Sequence, residues 1–192
     1  GYEQFYLLLI PLVYWCIDSA AGLRIGAMLM LTNVINSSLK LAFHAPRPYW
    51  LDTRVKAYSA ETSFGLPSGH AQTAASVWGV VASQIRRRWA WVAVALLAFM
   101  IGISRLYLGV HFVRDVVLGW LIGILLLFIF LRVEGRVAAW FRNLKLVRQL
   151  TVGLLSSLGF ILLGLLALTS IGAWQIPADW IANVNLAAPG TT

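Results

Sequence analysis

The chain has 192 residues, of which 60% are hydrophobic and only 11% are charged, with a formal net charge of +8. A soluble domain usually carries about 25% charged residues, so this composition excludes an ordinary water-soluble globule and indicates a protein solvated by lipid. The single cysteine, Cys16, excludes an intrachain disulfide and a cysteine metal cluster.

Six apolar stretches follow one another along the chain, and each is a candidate helix across a hydrocarbon core of about 30 Å. Pro11 interrupts the first stretch, which is therefore expected to kink. The sequence predicts an all-α, integral-membrane six-helix bundle that forms a single domain over residues 1–192. The predicted spans are residues 2–17, 23–43, 68–85, 89–107, 111–131 and 150–173.

Basic residues separate the two sides of the predicted bundle. If six spans alternate in direction, nine of the fifteen lysines and arginines lie on one side. Cytoplasmic loops accumulate Lys and Arg, so that side is predicted to be cytoplasmic, and the positive charge reflects topology and anionic headgroups rather than nucleic-acid binding. The connector 132–148 alternates basic and apolar residues, which predicts a cytoplasmic helix lying in the interface. The nine residues are Arg24, Arg86, Arg87, Arg88, Arg132, Arg136, Arg142, Lys145 and Arg148.

Three polar clusters are predicted to meet on the opposite side. They are residues 40–48, 67–70 and 104–115. Charged groups beside a membrane span are expensive and usually functional. Lys40 offers a compact charge, and Arg47 and Arg105 offer planar forks, a set that suits phosphate oxygens. Ser68 and Gly69 stand at a predicted helix start, where free N–H groups and the dipole favour an anion; Ser68 is also a plausible N-cap.

Two histidines and an aspartate add reactive groups to these clusters. His111 and Asp115 are four residues apart, so on a helix they share one face. Such a carboxylate holds an imidazole in one tautomer, which leaves one nitrogen of His111 to attack phosphorus. His70 is placed to protonate the leaving alkoxide and then activate water. No carboxylate-rich metal site accompanies the set, so its cations are expected to balance the transition-state charge.

The patterns K-x-x-x-x-x-x-R-P, P-S-G-H and S-R-x-x-x-x-x-H-x-x-x-D, in this order, resemble the three-part signature of the phosphatidic acid phosphatase type 2 and vanadium haloperoxidase superfamily. The resemblance implies a phosphohistidine mechanism without a metal or other cofactor, and inhibition by vanadate or phosphate. His111 would be the nucleophile, Asp115 its orienting partner and His70 the general acid and base. The phosphate would be held by Lys40, Arg47, Ser68, Gly69 and Arg105.

Two further stretches, R-P-Y-W at residues 47–50 and E-T-S-F-G-L-P-S-G-H-A at residues 61–71, look similar to glucose-6-phosphatase and sphingosine-phosphate phosphatase relatives. Within the first, Tyr49 and Trp50 fit either an aromatic belt at headgroup level or a contact with the leaving group. His44 is read as a loop or interface residue, with substrate contact as the alternative.

Within the fifth span, Gly119 and Gly123 form a G-x-x-x-G pattern, which permits close helix packing inside the bundle. No pattern in the sequence fixes the oligomeric state.

The favoured function is a multi-pass phosphatase of the plasma (inner) membrane. Its site would open to the periplasm or exterior, and its substrate would be a phosphorylated lipid. A phosphotransferase that passes phosphate to an acceptor hydroxyl would use the same residues, and a phosphatase of soluble sugar phosphates stays open as well. The hydropathy disfavours a vanadate haloperoxidase, whose known examples are soluble. The intact His70, His111 and Asp115 disfavour a catalytically silent binding or transport protein.

Overall fold

A computed structural model describes residues 2–59, 61–169, 171–172 and 174–187. Within these residues the chain forms helices and connecting loops, with no β-strand, which confirms the predicted all-α class. The helices in this part of the chain are α1 (Tyr2–Cys16), α2 (Ser19–Phe43), α3 (Pro48–Leu51), α4 (Gly69–Ile85), α5 (Arg88–Tyr107), α6 (Val113–Arg142), α7 (Leu146–Thr169) and α8 (Ala178–Ala187).

Each of the six predicted spans corresponds to a helix, but six membrane crossings are not confirmed. Among the described residues, four segments are long and apolar enough to cross a membrane: Ser19–Leu51, which contains α2, and α5, α6 and α7. Helices α1 and α4 have 15 and 17 residues, or about 22 and 25 Å, which is short of a ~30 Å core. Residues 170 and 173, at the end of the sixth predicted span, lie outside the described residues. The protein is an integral membrane protein.

Two helix boundaries differ from the prediction. Helix α2 begins at Ser19 because Asp18 caps it, accepting the N–H groups of Ala20 at 2.7 Å and Ala21 at 3.0 Å. Helix α6 continues to Arg142, so the first eleven residues of the predicted interfacial connector are not a separate element. An ion pair from Arg24 to Glu134, 3.0 Å long, joins this extension to α2 and shows why it stays helical.

Helix α4 forms the centre of the bundle and contacts α2, α5 and α6. Its buried positions are mostly small or β-branched, so neighbouring helices approach it closely. The largest apolar cluster joins Val77 and Val80 of α4 to Met28 of α2 and Leu127 of α6. Because α4 is shielded on several sides by other helices, its length is set less by lipid than by its neighbours.

The predicted close packing at Gly119 and Gly123 is confirmed between α6 and α4. A Cβ atom at Gly119 would lie 2.6 Å from the carbonyl oxygen of Ser68, and one at Gly123 would lie 2.5 Å from that of Gln72. Real Cβ atoms do not approach so closely, so both positions require glycine. The two glycines fix the height of α4 against α6 and thereby the relative positions of the clusters at their ends.

A short C-terminal helix, α8, folds back onto α3. The Trp180 ring lies 5.9 Å from that of Trp50, and Asn183 Nδ2 donates to the Trp50 carbonyl at 2.9 Å. Tyr49 and Trp50 are buried, 1% and 6% exposed, so the belt interpretation of these two residues is wrong. The aromatic tail covers the loop that follows α2, and Trp174 joins the same group of rings.

The α4–α6 contact generates a stability prediction. Replacing Gly123 by Ala is expected to destabilise the detergent-solubilised protein by about 1–3 kcal/mol, because the methyl group overpacks the contact with Gln72. Gly135→Ala is the matched control on the same helix, since a Cβ there meets nothing within 4 Å. Thermal unfolding should show a lower midpoint for Gly123→Ala alone. Equal midpoints for the two variants would contradict the described packing.

Candidate active site

The ends of four helices meet at one end of the bundle, called the site end below: the C-terminal ends of α2 and α5 and the N-terminal ends of α4 and α6. The backbone N–H of Ser68 donates to the Asp115 carbonyl at 2.9 Å, and Arg47 Nη1 donates to the Val110 carbonyl at 2.9 Å. The structure therefore brings the three predicted clusters together. All eight predicted site residues lie at this end: Lys40, Arg47, Ser68, Gly69, His70, Arg105, His111 and Asp115.

His111 and Asp115 face each other, although His111 precedes α6 instead of sharing a helical face with Asp115. The His111 Nδ1 atom lies 3.5 Å from Asp115 Oδ2. Asp115, in the first turn of α6, also accepts the backbone N–H of Phe112 at 2.9 Å. His111 is 4% exposed and Asp115 is 0% exposed. The start of α6 thus fixes a carboxylate against one edge of the imidazole.

Arg47 is completely buried, and all five of its guanidinium N–H groups point at acceptors of the protein. Nε donates to the Ser63 carbonyl at 2.6 Å, and Nη1 donates to the Val110 carbonyl at 2.9 Å. Nη1 also lies 3.4 Å from His111 Nε2. Nη2 donates to Ser63 Oγ at 3.2 Å and to the Phe64 carbonyl at 3.3 Å. Arg47 therefore holds the loop 61–64 and the nucleophile candidate in one frame.

These two neighbours assign the tautomer of His111. A guanidinium cannot accept a hydrogen bond, so the Nε2 atom that faces Arg47 presents its lone pair. The ring proton is then on Nδ1, towards the Asp115 carboxylate. Burial lowers the pKa of His111 below its ordinary value, while the contact with Asp115 opposes this shift. The neutral ring with a bare Nε2 is the form that can attack phosphorus.

Helix α4 begins at the site with Ser68 as its N-cap, as the sequence predicts. The Ser68 side chain accepts the N–H of Ala71 at 3.5 Å, and its own N–H is used by Asp115. The helix itself provides no partners for the N–H groups of its first residues, Gly69 and His70. This end of α4 is suited to an anion. The imidazole of His70 stands directly beside it.

Further cations surround this point. Lys40 Nζ donates to Ser63 Oγ at 2.7 Å. Arg105, in the last turn of α5, is 4% exposed. Lys40, Arg105 and His111 are close enough to interact with the charge of His70. The one carboxylate described near Arg47 besides Asp115 is Glu61, whose Oε2 lies 3.8 Å from Nη2. The described part of the site end is thus a dense positive cluster around two imidazoles.

A buried polar chain beneath the site was missed by sequence reasoning. Asn36 Nδ2 donates to the Pro67 carbonyl at 3.3 Å and to Gln72 Oε1 at 2.8 Å. Gln72 Nε2 donates to the carbonyl and hydroxyl oxygens of Thr32, both at 3.0 Å. Asn36, Gln72 and Thr32 are all buried. Polar residues inside apolar spans were the available signal, and they anchor the start of α4 to α2.

His44 caps α2 in the left-handed conformation, with φ of 47°. Its ring packs against Phe64 at 5.5 Å and Trp174 at 4.9 Å between centroids. This placement agrees with the interpretation of His44 as a loop residue that packs against neighbouring rings.

The comparisons with known proteins identify relatives of this arrangement. A family model described as the PAP2 superfamily matches residues 21–138, which include all three clusters. A crystal structure of a transmembrane PAP2 type phosphatidylglycerolphosphate phosphatase from Bacillus subtilis superposes with a TM-score of 0.61 at 29% identity. The superposition covers 69% of this chain and 70% of that one.

Curated relatives carry the same likeness over part of their length. Phosphatidylglycerophosphatase B of Bacillus subtilis (strain 168) is 40% identical over 36% of this chain and 38% of its own length. Sphingosine-1-phosphate phosphatase 1 of Mus musculus is 24% identical over 83% and 38%. Glucose-6-phosphatase 3 of Rattus norvegicus is 32% identical over 64% and 41%. The chain thus spans about two fifths of the length of these relatives, and the predicted likeness to the last two groups is confirmed.

The His111–Asp115 geometry predicts how an Asp115→Asn variant behaves. The amide keeps the size of the side chain but loses the charge that holds Nδ1 protonated, so kcat for phosphate release should fall by roughly 10²- to 10⁴-fold. Asp115 raises the pKa of His111 against the effect of burial. The acid limb of kcat/KM should therefore move to lower pH in the variant.

Rates are measured with the same substrate for both proteins, so that ionisation of the substrate affects both profiles equally. An Asp115→Asn protein with the wild-type rate and pH profile would contradict the orienting role.

Proposed function

The chain belongs to the PAP2 superfamily, and on that premise we propose that it is a metal-independent membrane phosphatase that hydrolyses a lipid phosphomonoester or diphosphate through a phosphohistidine. One observation carries the proposal. His111 is held with Nδ1 towards the Asp115 carboxylate and Nε2 towards Arg47, so its lone pair opens into a group of cations. This is the arrangement that a nucleophile for a phosphate anion requires.

The first half of the proposed reaction transfers the phosphoryl group to the protein. His111 Nε2 forms a bond to phosphorus while the bond from phosphorus to the leaving oxygen breaks. His70 gives its proton to that oxygen, and the alcohol departs. Asp115 stabilises the positive charge on the phosphorylated imidazole. Lys40, Arg47 and Arg105, with the N-terminus of α4, balance the charge on the phosphoryl oxygens.

The second half returns the protein to its starting state. His70, now neutral, takes a proton from water, and the resulting hydroxide attacks phosphorus. The bond between phosphorus and Nε2 of His111 breaks, and inorganic phosphate leaves. The proton gained by His70 restores its acid form for the next turnover.

A lipid is the favoured substrate class. Two of the relatives are named for the dephosphorylation of lipids, phosphatidylglycerophosphatase B and sphingosine-1-phosphate phosphatase 1. A site at the end of a membrane bundle lies at headgroup depth, so a phosphate can enter while its chains stay in the bilayer. Soluble sugar phosphates are a second candidate, because the likeness to glucose-6-phosphatase 3 extends over 64% of this chain.

Charge supports an orientation with the site end outside the cytoplasm. Nine basic residues lie on the opposite side and six on the site side. Lys40, Arg47 and Arg105 are three of those six and belong to the site itself, which leaves nine against three for topology. By the positive-inside rule, the site end then faces the periplasm or exterior.

Phosphate release by the full, detergent-purified chain tests the proposed reaction. The substrates are phosphatidylglycerol phosphate, phosphatidic acid, a sphingoid phosphate, a polyprenyl diphosphate and glucose 6-phosphate, each with a strong chelator present. A lipid phosphate should be hydrolysed fastest, with no loss of rate in chelator. His111→Ala should lower kcat by roughly 10³-fold or more, because the nucleophile is removed.

His44→Asn is the matched control, since it changes a histidine outside the site and asparagine tolerates the left-handed backbone. Its rate should stay close to that of the wild type. Phosphate release that persists in His111→Ala, or that stops in chelator, would contradict the mechanism. Glucose 6-phosphate as the fastest substrate would exclude the lipid assignment while keeping the phosphatase.

Orientation is tested with sealed membrane vesicles and a soluble phosphate ester that does not cross membranes. Right-side-out vesicles should release phosphate without detergent, whereas inverted vesicles should do so only after detergent is added. The reverse pattern would place the site on the cytoplasmic side.

A further inference from the structure

Two cations of the site converge on one hydroxyl group that the sequence motifs do not include. Ser63 Oγ accepts a hydrogen bond from Lys40 Nζ at 2.7 Å and another from Arg47 Nη2 at 3.2 Å. Ser63 lies in the loop between α3 and α4, five residues before Ser68. We infer that Ser63 is a further phosphate-binding residue, whose hydroxyl donates a hydrogen bond to a phosphate oxygen of the substrate. The inference rests on the proposed function.

The valence of the hydroxyl group supports this role. A serine oxygen has two acceptor positions and one proton to donate. The ammonium of Lys40 and the guanidinium of Arg47 are donors that cannot accept, and together they occupy both acceptor positions. The proton of Ser63 must therefore point to a third group, and that group must be an acceptor. Two charged donors on one oxygen also polarise its O–H bond and make it a stronger donor.

The position of Ser63 relative to His111 fits a phosphate group between them. Both residues contact the same guanidinium, through its two terminal nitrogens: Nη1 lies 3.4 Å from His111 Nε2 and Nη2 lies 3.2 Å from Ser63 Oγ. A phosphate whose phosphorus faces Nε2 therefore has an oxygen directed along the fork towards Ser63.

Exposure and charge indicate the same direction. Arg47 is completely buried, whereas Ser63 is exposed, so the hydroxyl lies on the side from which a substrate enters. An anionic oxygen already lies at this edge of the guanidinium, since Glu61 Oε2 is 3.8 Å from Nη2. The edge that carries Ser63 is thus suited to an anion.

The first experiment measures binding of inorganic phosphate, which needs no turnover, by the thermal shift of the full, detergent-purified protein. Ser63→Ala should bind phosphate about 10- to 100-fold more weakly than the wild type, the loss expected for one hydrogen bond to a charged group. Thr62→Ala is the matched control, because it removes the hydroxyl of the exposed neighbour. Ser63→Thr keeps the hydroxyl and should retain most of the affinity.

A double-mutant cycle separates direct donation from an effect through Lys40. Lys40→Met and Lys40→Met/Ser63→Ala are compared by the same binding assay. If Ser63 donates to phosphate itself, the Ser63→Ala change weakens binding in both backgrounds. If Ser63 only positions Lys40, its effect vanishes once Lys40 is absent, and that outcome would overturn the inference.

The remaining outcomes separate this inference from the proposed function. Wild-type protein that neither binds nor releases phosphate contradicts the proposed function, and the role of Ser63 is then excluded with it. Wild-type protein that binds and releases phosphate, with unchanged affinity in Ser63→Ala, contradicts the role of Ser63 alone. Unfolding midpoints without phosphate show whether Ser63→Ala is folded; if it is not, a weakened Ser63→Cys protein, which keeps the size but donates poorly, supports the inference and an unweakened one overturns it.

Discussion

The buried guanidinium of Arg47 is the interaction on which the site depends. A charge removed from water is tolerated only when it is surrounded by acceptors, and Arg47 satisfies this condition with three loop carbonyls, one hydroxyl and one imidazole nitrogen. Those acceptors belong to segments that are distant in sequence, at residues 63–64 and 110–111. Because each must meet the same planar fork, Arg47 fixes the relative position of the two loops more tightly than apolar packing could.

The second constraint is the close contact of α4 with α6. Gly119 and Gly123 allow the two backbones to meet, and the Ser68 N–H then reaches the Asp115 carbonyl. The carboxylate of the same residue faces His111. One residue of α6 therefore links the anion-binding start of α4 to the imidazole. Asn36 holds the other side of this start through the Pro67 carbonyl. Helix packing and site geometry are thus consequences of the same contacts.

Residue types and spacing predicted the parts of the site that have few alternatives. Polar groups beside apolar spans are rare, and Lys40, Ser68 and Asp115 could be found from the sequence for that reason. Ser63 could not, because it lies in a polar loop where serine is common and its importance comes from two contacts made in space. The helix α8 was also missed, because its ten residues have no strong periodicity and it is stabilised by packing on Trp50. The extension of α6 was missed because charged residues after an apolar span are normally read as its end, whereas the ion pair from Arg24 to Glu134 lets the helix continue.

The contacts of Arg47 are unequal, and the inequality bears on the proposed mechanism. Those to the Ser63 and Val110 carbonyls are short, 2.6 and 2.9 Å, whereas the contact to His111 Nε2 is 3.4 Å. A phosphate oxygen is a much stronger acceptor for a guanidinium than a neutral imidazole is. Under the proposed mechanism, an arriving phosphate would therefore take the N–H that faces Nε2, while the carbonyl contacts keep the guanidinium in place. The lone pair of His111 is then released only when phosphorus lies in front of it. A single buried side chain in this way couples binding of the anion to exposure of the nucleophile, without movement of the surrounding helices.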